Sequence, residues 1–406
     1  MVDFKILAAE CEKELSGVFA ELDSVSQKCT EKVLKAFEKY RLAETHFAPS
    51  TGYGYNDEGR DVCEKIFAEV FGTEEAIVRH NIISGTHAIS IGLFGLLRPG
   101  DTMLSVTGMP YDTIEPVIGI KPAAGSLAEY GVRFDKIDMV DGRVDIEAVK
   151  KYLLNDKTVK MVYIQRSKGY LARRTLTVDE INEVYKAAKS VSNAFVVVDN
   201  CYGEFVETSE PTADLIIGSL IKNAGGGIAE CGGYLAGTAE AVELASYRLT
   251  VPGVGREGGA SLGQTKNMLK GLFLAPHAVA QAIKTAHFAA ALFEKLGYNV
   301  MPKPLEKRSC LIQTIDLCTK EKMLAFCRGL QAGSPIDSFV EPVGWAMPGY
   351  DCEVVMAAGA FTQGSSIELS ADGPLEEPYR IYLQGGLTYE SGKYGVLKAA
   401  EEVLKV

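Results

Sequence analysis

The sequence predicts an α/β protein whose larger part has a mostly parallel central sheet, followed by a smaller C-terminal α+β part. Short Val- and Ile-rich runs of strand length recur through the middle of the chain. Segments with apolar residues at helical spacing alternate with them, which is the pattern of a parallel sheet covered by helices. After about residue 270, short alternating strands replace this pattern and predict the smaller part.

The length of the chain predicts more than one domain. Its 406 residues, 47% of them hydrophobic, are ample for a large core and long for a single one. Residues 1–47 carry apolar positions at helical spacing and predict two helices that form an N-terminal arm. We expect a large domain over residues 48–270 and a small domain over residues 271–406.

Composition excludes several classes of function. The net charge of -11 argues against a nucleic-acid partner and favours a small molecule. The nine cysteines form no C-x-x-C pair and the five histidines no H-x-x-x-H pair, so we expect reduced thiols and no bound metal. No basic leader or apolar run of about 18 residues is visible, which predicts a cytoplasmic protein without a membrane span.

Two predicted strands in the middle of the chain end in charged residues. Phe195 to Val198 leads to Asp199, and the strand that begins at Leu215 leads through Ser219 to Lys222. Because ligands bind at the carboxyl ends of strands in open α/β sheets, these groups are expected to share one crevice. The simpler alternatives are a turn-capping carboxylate and a solvated lysine.

A lysine, an acid and hydroxyl donors in one crevice suit pyridoxal phosphate (PLP) chemistry. A lysine forms a Schiff base with the aldehyde, and an acid keeps the ring nitrogen protonated. Such a lysine must be largely desolvated, so that its amine can be neutral. Farther upstream, Ser84, Gly85 and Thr86 open a predicted helix whose free N–H groups could bind the phosphate. An ordinary capped helix is the alternative.

In this order, the motifs resemble the Cys/Met-metabolism family of fold-type I PLP-dependent enzymes. The closer resemblance is to its aluminium-resistance branch, which is similar to methionine γ-lyase and cystathionine β-lyase. The resemblance implies that Lys222 is the cofactor lysine, that Asp199 binds the ring nitrogen, and that Ser219 binds the phosphate with Gly85 and Thr86. It also implies that Tyr111 stacks on the ring and assists proton transfer.

The resemblance further implies a homodimer or homotetramer with active sites at the dimer interface. Tyr55 and Arg60, from a glycine-rich loop, would then reach the cofactor phosphate of the other subunit, with Tyr53 as the rival for the tyrosine. A helix is expected to start after Arg60. The N-terminal arm would pack on the partner, although a helix that caps its own chain is the alternative.

Arginines are the expected partners of the substrate carboxylate. The resemblance assigns this role to Arg380, with a contribution from Arg173. Arg166, Ser167 and Arg174, from the same segment as Arg173, are also expected to face the crevice. The G-x-G-x-x-G match that begins at Gly253 lacks the strand and the acid of a dinucleotide site.

The activity that the resemblance implies is carbon–sulfur lysis of cystathionine, cysteine or methionine. It would proceed through Schiff-base formation, removal of the Cα proton and β- or γ-elimination. A PLP-dependent transferase or racemase is one alternative, and a non-catalytic stress or aluminium-resistance protein on the same fold is another.

Overall fold

The computed structural model describes residues 3–171, 173–346 and 352–406. Met1 and Val2 of the predicted arm, and Ala172 beside Arg173, lie outside the described residues. The α-helices are α1 (Phe4–Lys39), α2 (Glu58–Phe71), α3 (Gly85–Leu96), α4 (Glu115–Ile118), α5 (Ile146–Asn155), α6 (Val178–Val191), α7 (Ala239–Leu249), α8 (Thr265–Lys295), α9 (Lys320–Ala332) and α10 (Tyr389–Val403).

The strands fall into two sheets. The central sheet contains β1 (Glu75–Arg79), β2 (Thr102–Ser105), β3 (Arg133–Lys136), β4 (Val159–Gln165), β5 (Phe195–Asp199), β6 (Leu215–Ser219) and β7 (Gly233–Gly237). The second sheet contains β8 (Asn299–Met301), β9 (Gln313–Asp316), β10 (Trp345–Ala346), β11 (Glu353–Ala358), β12 (Ser370–Pro374) and β13 (Arg380–Gln384).

The central sheet has the strand order β1-β7-β6-β5-β4-β2-β3. The pairs from β6 through β5, β4 and β2 to β3 are parallel, and β7 runs antiparallel to both of its neighbours. The second sheet, ordered β10-β11-β12-β13-β9-β8, is antiparallel in every described pair. The predicted class, a mostly parallel α/β sheet with a smaller α+β part, is confirmed.

Strand β5 shows how the central sheet is buried on both faces. Val196 and Val198 belong to the hydrophobic cluster on one face, and Val197 belongs to the cluster on the other. Alternate side chains of a strand point to opposite faces, so a run of valines suits a strand covered twice. Because both faces of the sheet are covered by apolar side chains, polar side chains can come together only at the ends of the strands.

Two long helices connect the central sheet to the second sheet. Helix α8 contributes Leu272 and Val279 to the main cluster of the central sheet and Phe288 to the cluster under the second sheet. Helix α1 does the same with Val33 and Leu15. Because α8 runs through residue 270, the predicted domain boundary falls inside a continuous helix.

The prediction of two helices within residues 1–47 is wrong. One helix of 36 residues, α1, is followed by a short 3-10 helix, Glu44–Phe47. Helix α1 packs along α8 of its own chain. The apolar spacing alone did not show that a single helix buries one continuous face in both hydrophobic clusters.

The capping residues fix where several helices begin. Thr177 and Glu180 form a capping box at the start of α6, with both reciprocal hydrogen bonds present. Helix α2 begins at Glu58, earlier than predicted, because Asp57 caps it by accepting from the N–H of Arg60. Among the described residues, no helix combines the length and apolarity needed to cross a membrane.

Candidate active site

A cavity of about 190 Å³ lies at the carboxyl ends of β4, β5 and β6. The N-terminus of α3 closes one side, and strands β12 and β13 of the second sheet close another. Its wall contains the predicted residues Gly85, Thr86, Tyr111, Asp199, Ser219 and Lys222. The expectation that these residues share one crevice is therefore met in the geometry of the chain.

Lys222 follows β6 and reaches into this cavity with its ammonium group against an aromatic ring. Its Nζ lies 3.9 Å from the ring centroid of Tyr202, a cation–π distance. Burial acts to lower the pKa of Lys222, but Tyr202, Cys201 and Asp199 outweigh that effect, so the pKa is raised. The lysine is partly buried, and its surroundings favour the charged form of the amine rather than the expected neutral form.

Tyr202 is a site residue that the sequence did not indicate. Its backbone has a φ of 73°, in the left-handed region that aromatic residues seldom occupy. Strained backbone of this kind is found where the surrounding structure fixes a functional side chain. A tyrosine three residues after a strand-end carboxyl carries no sequence signal of such a conformation.

Asp199, at the end of β5, is a buried carboxyl. Its Oδ1 accepts a hydrogen bond of 3.1 Å from the N–H of Cys201. Burial raises its pKa, and the charge of Lys222 with the Cys201 N–H acts in the opposite direction. A cation placed beside this carboxyl would be stabilised in its charged form.

The start of α3 presents backbone N–H groups of the kind that bind anions. Ser84 is the N-cap and accepts from the N–H of His87, which leaves the N–H groups of Gly85 and Thr86 at the first turn. A Cβ on Gly85 would lie 3.5 Å from the Cβ of Ser219, so the two elements approach closely. The buried hydroxyl of Ser219 has no hydrogen-bond partner among the described residues.

Tyr111 lies on the loop after β2 and lines the cavity. A Cβ on Gly169 would come within 3.1 Å of its ring, so glycine at that position, with a φ of 54°, lets the 165–171 loop approach the tyrosine. The ring centroid of Tyr170 is 6.5 Å from that of Tyr111. An aromatic wall thus stands beside the space between Lys222 and Asp199.

The second sheet contributes polar residues that the sequence did not reveal. Asp372, Tyr382 and Gln384 come from β12 and β13 and line the cavity. Burial raises the pKa of Asp372 to about 6, although a hydrogen bond from Tyr170 and the charge of Lys222 oppose the shift. These residues lie about 150 positions beyond Lys222 in an alternating strand pattern, so only the fold could place them here.

The two arginines predicted to bind substrate do not line this cavity. The guanidinium of Arg380 pairs with Asp316 across β13 and β9, with its Nε 2.6 Å from Oδ1, and lines an adjoining cavity that shares Tyr382. That of Arg173 donates to the carbonyls of Gln165 and Ser167 at the cavity wall. Their role in carboxylate binding stays a prediction.

Two other arginines of the same segment do not face the crevice, so that expectation is corrected. Arg166 is fully buried and pairs with Glu207 at 2.9 Å and with Glu210 at 3.6 Å. Arg174 pairs with Glu180 at the start of α6. Arg166 turns inward because the buried carboxylate of Glu210 and the partly buried carboxylate of Glu207 pair with it. Arg174 pairs with a residue of the first turn of α6.

The residues predicted to serve a neighbouring subunit lie outside the cavity. Tyr53 and Tyr55 are stacked at 5.8 Å and are 80% and 53% exposed. Arg60 is buried and donates to the carbonyls of Gly54 and Gly259, at 2.6 and 3.1 Å. Within its own chain, Arg60 therefore joins the loop before α2 to the glycine-rich loop before α8.

The architecture is that of the fold-type I PLP-dependent transferases. The Escherichia coli protein YhfS, described as pyridoxal-5'-phosphate dependent, matches with a TM-score of 0.65 over 95% of this chain and 97% of its own. Its sequence identity of 15% makes this a likeness of fold alone.

Within that class, the chain belongs to the methionine gamma-lyase family, whose pattern matches residues 4–404. The predicted family is confirmed. Bacillus subtilis YnbB, named as uncharacterized, is 49% identical over 99% of this chain and 96% of its own.

Solved structures of similar proteins agree with this assignment. One from Listeria monocytogenes, named as a proposed cystathionine β-lyase involved in aluminium resistance, has a TM-score of 0.96 and 47% identity, covering 98% of this chain and all of that chain. A Clostridium novyi carbon–sulfur lyase involved in aluminium resistance has a TM-score of 0.94 and 48% identity, covering 98% and 95%.

Proposed function

We propose that the protein is a PLP-dependent carbon–sulfur lyase that acts on a sulfur-containing amino acid. The observation that carries the proposal is the meeting of Lys222, Asp199 and the unpartnered hydroxyl of Ser219 in one cavity. The names given to the Listeria and Clostridium proteins support the same activity. A partly buried lysine beside a buried acid and a helix N-terminus that can bind an anion is the donor set that this chemistry requires.

The residues present fit the cofactor. Its phosphate would be held by Ser219 and by the first N–H groups of α3, at Gly85 and Thr86, because a buried hydroxyl without a partner is otherwise unfavourable. Asp199 would hold the ring nitrogen, and the ring of Tyr111 would cover one face. When bound, PLP supplies an electron sink that stabilises negative charge at the substrate Cα.

The protein groups would bind the substrate and move its protons. Lys222, once neutral, takes the Cα proton and later returns one, and Tyr111 assists proton transfer toward the leaving sulfur. Arg380 and Arg173 are the proposed partners of the carboxylate. Since Asp199 is buried and keeps its negative charge beside a cation, it favours the protonated ring nitrogen.

The cofactor assignment is tested by spectroscopy and mass mapping. Purified protein with added PLP should show a yellow absorption band that bleaches with borohydride, leaving pyridoxyl mass on the peptide that contains Lys222. Lys222→Ala should lose the band and turnover while keeping its circular dichroism spectrum. The exposed Lys266→Ala is the matched control. A colourless protein, or wild-type turnover in Lys222→Ala, would overturn the proposal.

The reaction type is tested by product analysis. Release of ammonia and a keto acid from cysteine, cystathionine or methionine supports lysis, and the identity of the keto acid separates β- from γ-elimination. Transfer of the amino group to an added keto acid, or loss of optical activity without keto-acid release, would assign a transferase or a racemase instead.

We further propose that two copies of the chain share their active sites through Tyr55, which is exposed on this chain. Mixing Lys222→Ala subunits with Tyr55→Phe subunits tests the arrangement, since one site in a mixed dimer would have both intact residues. Recovery of activity on mixing supports shared sites. Activity of the mixture that never exceeds the activity of the two parent variants would contradict shared active sites.

A further inference from the structure

A second cavity, of about 240 Å³, lies behind the 165–171 loop and has mostly basic walls. Its charged lining residues are Lys168, Arg174, Lys307, Arg308 and Glu306. We call it the basic cavity. Arg174 is already paired with Glu180, and Lys307 is largely exposed. Lys168 and Arg308 are therefore the cations available to bind a ligand in this cavity.

Lys168 is buried without a carboxylate partner. Only 1% of its surface is exposed, and its Nζ donates to the carbonyl of Met301 at 3.3 Å. Among the described residues, no carboxylate lies within 4.0 Å of this ammonium, the limit for an ion pair. Burial lowers the pKa of Lys168 to about 8. Lysines this deeply buried are nearly always paired.

Arg308 also lines the basic cavity and, like Lys168, is buried without a carboxylate partner among the described residues. It is 5% exposed, and its Nη2 donates to Gln313 Oε1 at 2.5 Å and to the carbonyl of Ala286 at 3.4 Å. Its Nε and Nη1 have no hydrogen-bond partner in the described part of the chain. Burial lowers its pKa to about 10, so it stays charged at neutral pH.

Neither of these buried cations has a carboxylate of a described residue in ion-pair contact, which is unfavourable unless an anion joins them. Glu306 lines the basic cavity, but one of its carboxyl oxygens accepts from the backbone N–H of Lys303. Ser309 and Thr175 also line the cavity, and their hydroxyls are of the kind that donates to an oxyanion, although that of Thr175 lies 2.9 Å from Cys310 Sγ. We propose that the basic cavity is a second anion-binding site, which takes a phosphate group between Lys168 and Arg308.

The position of Lys168 ties this site to the active-site cavity. Ser167 and Gly169 line the active-site cavity, whereas Lys168 between them lines the basic cavity. Arg173 donates to the carbonyl of Ser167 from the same loop. A phosphate that fixes Lys168 would therefore fix the wall beside Tyr111, and the anion would act as an effector of activity.

Binding is tested with inorganic phosphate on PLP-loaded protein, so that the cofactor occupies the active-site cavity. Phosphate should release or absorb heat in calorimetry and raise the melting temperature by about 2 °C or more at saturation. In Lys168→Met both responses should disappear, and the phosphate-free melting temperature should equal or exceed that of wild type because a buried unpaired charge is removed. Lys160→Met, on an exposed position of β4, is the control.

The outcomes separate this proposal from the assignment of the active site. A wild-type protein without heat or melting response, or an unchanged response in Lys168→Met, would overturn the second site. Phosphate that binds at the start of α3 in molecules without cofactor would still bind Lys168→Met, because those residues are unchanged. Lys168→Gln serves as a second variant should the methionine variant fold poorly.

Two further probes define the ligand and its effect. Glycerol phosphate tests whether the site accepts a phosphate ester, and potassium chloride at matched ionic strength should give no response. Saturating phosphate should change kcat or KM at least twofold in wild type and in Lys160→Met, and leave Lys168→Met unchanged. Equal kinetic effects in all three proteins would contradict the effector role.

Discussion

The ammonium of Lys222 lies 3.9 Å from the ring centroid of Tyr202, whose backbone is held at a φ of 73°. Asp199 and Cys201 also raise the pKa of Lys222, so its surroundings favour the protonated amine. A cation that binds beside Asp199 should lower that pKa, which would couple the reactivity of the lysine to occupation of the site.

We expect Tyr202→Leu to lower the pKa of Lys222, because the hydroxyl of Tyr202 that raises this pKa and the ring beside the ammonium are both lost while burial persists. The pH dependence of Lys222 methylation, followed by peptide mass mapping without PLP, measures the pKa. Tyr202→Phe keeps the ring but loses the hydroxyl, so its Lys222 should titrate between the leucine variant and wild type. An identical titration in the leucine variant and wild type would show that Tyr202 does not hold the charge.

Ser219→Ala should have opposite effects on the protein without and with PLP. Without the cofactor, the substitution removes a buried hydroxyl that lacks a partner, so stability should stay equal or rise by about 1 kcal/mol. With PLP, the variant should gain less stability than wild type. Urea unfolding under both conditions measures this difference.

Ser246→Ala is the control for Ser219→Ala, because the buried Ser246 donates to the carbonyl of Glu243 at 2.6 Å. It should lose a similar amount of stability whether PLP is present or not. If Ser219→Ala behaves like this control, its hydroxyl does not contact the phosphate.

Glu204→Gln should remove a pH dependence of stability. Burial raises the pKa of Glu204 to about 8, although its Oε1 accepts from Tyr234 at 2.8 Å. The folded state then holds a proton that the unfolded state releases above its ordinary pKa of about 4.5, so stability falls as the pH rises from about 4.5 to 8.

Glutamine resembles the protonated carboxyl and cannot ionise. The variant should match wild type near pH 5 and become more stable by pH 9, by about 1.4 kcal/mol for each unit of raised pKa. Urea unfolding of both proteins from pH 5 to 9 measures the difference and cancels other titrating groups. A constant difference across that range would show that Glu204 is ionised when buried.

Arg380→Ala should raise KM for the amino-acid substrate by about 10- to 100-fold, which corresponds to losing a charged hydrogen bond. Asp316→Asn removes the partner of Arg380 and keeps the guanidinium, so its KM should stay within about threefold of wild type. If both variants lose activity and stability equally, Arg380 serves only as a bridge between β13 and β9.

The sequence predicted the parts of the site that are local in the chain. A strand-end Asp199, the Ser219-to-Lys222 spacing and the small residues that open α3 each follow from turn and capping chemistry around a buried strand. For the same reason, the capping box of α6 and the ends of β5 and β6 were predictable. Local signals of this kind do not depend on where distant elements pack.

The other features of the site depend on tertiary contacts, which the sequence does not show. Asp372 and Gln384 approach Lys222 because the second sheet folds over the central one, and their alternating strands look like any surface sheet. Arg166 turned inward because Glu207 and Glu210 lie beneath it, which no spacing within its own segment indicates. The left-handed backbone of Tyr202 is likewise set by its surroundings.

Helices α1 and α8 each bury side chains in the cores of both sheets. If one sheet unfolded alone, half of α1 and half of α8 would have to stay helical with an exposed apolar face. Loss of packing on one sheet therefore destabilises the other. The chain should therefore melt as one cooperative unit, with a single calorimetric peak and coincident loss of signals from both sheets. Fragments cut near residue 270 would be poor folding units.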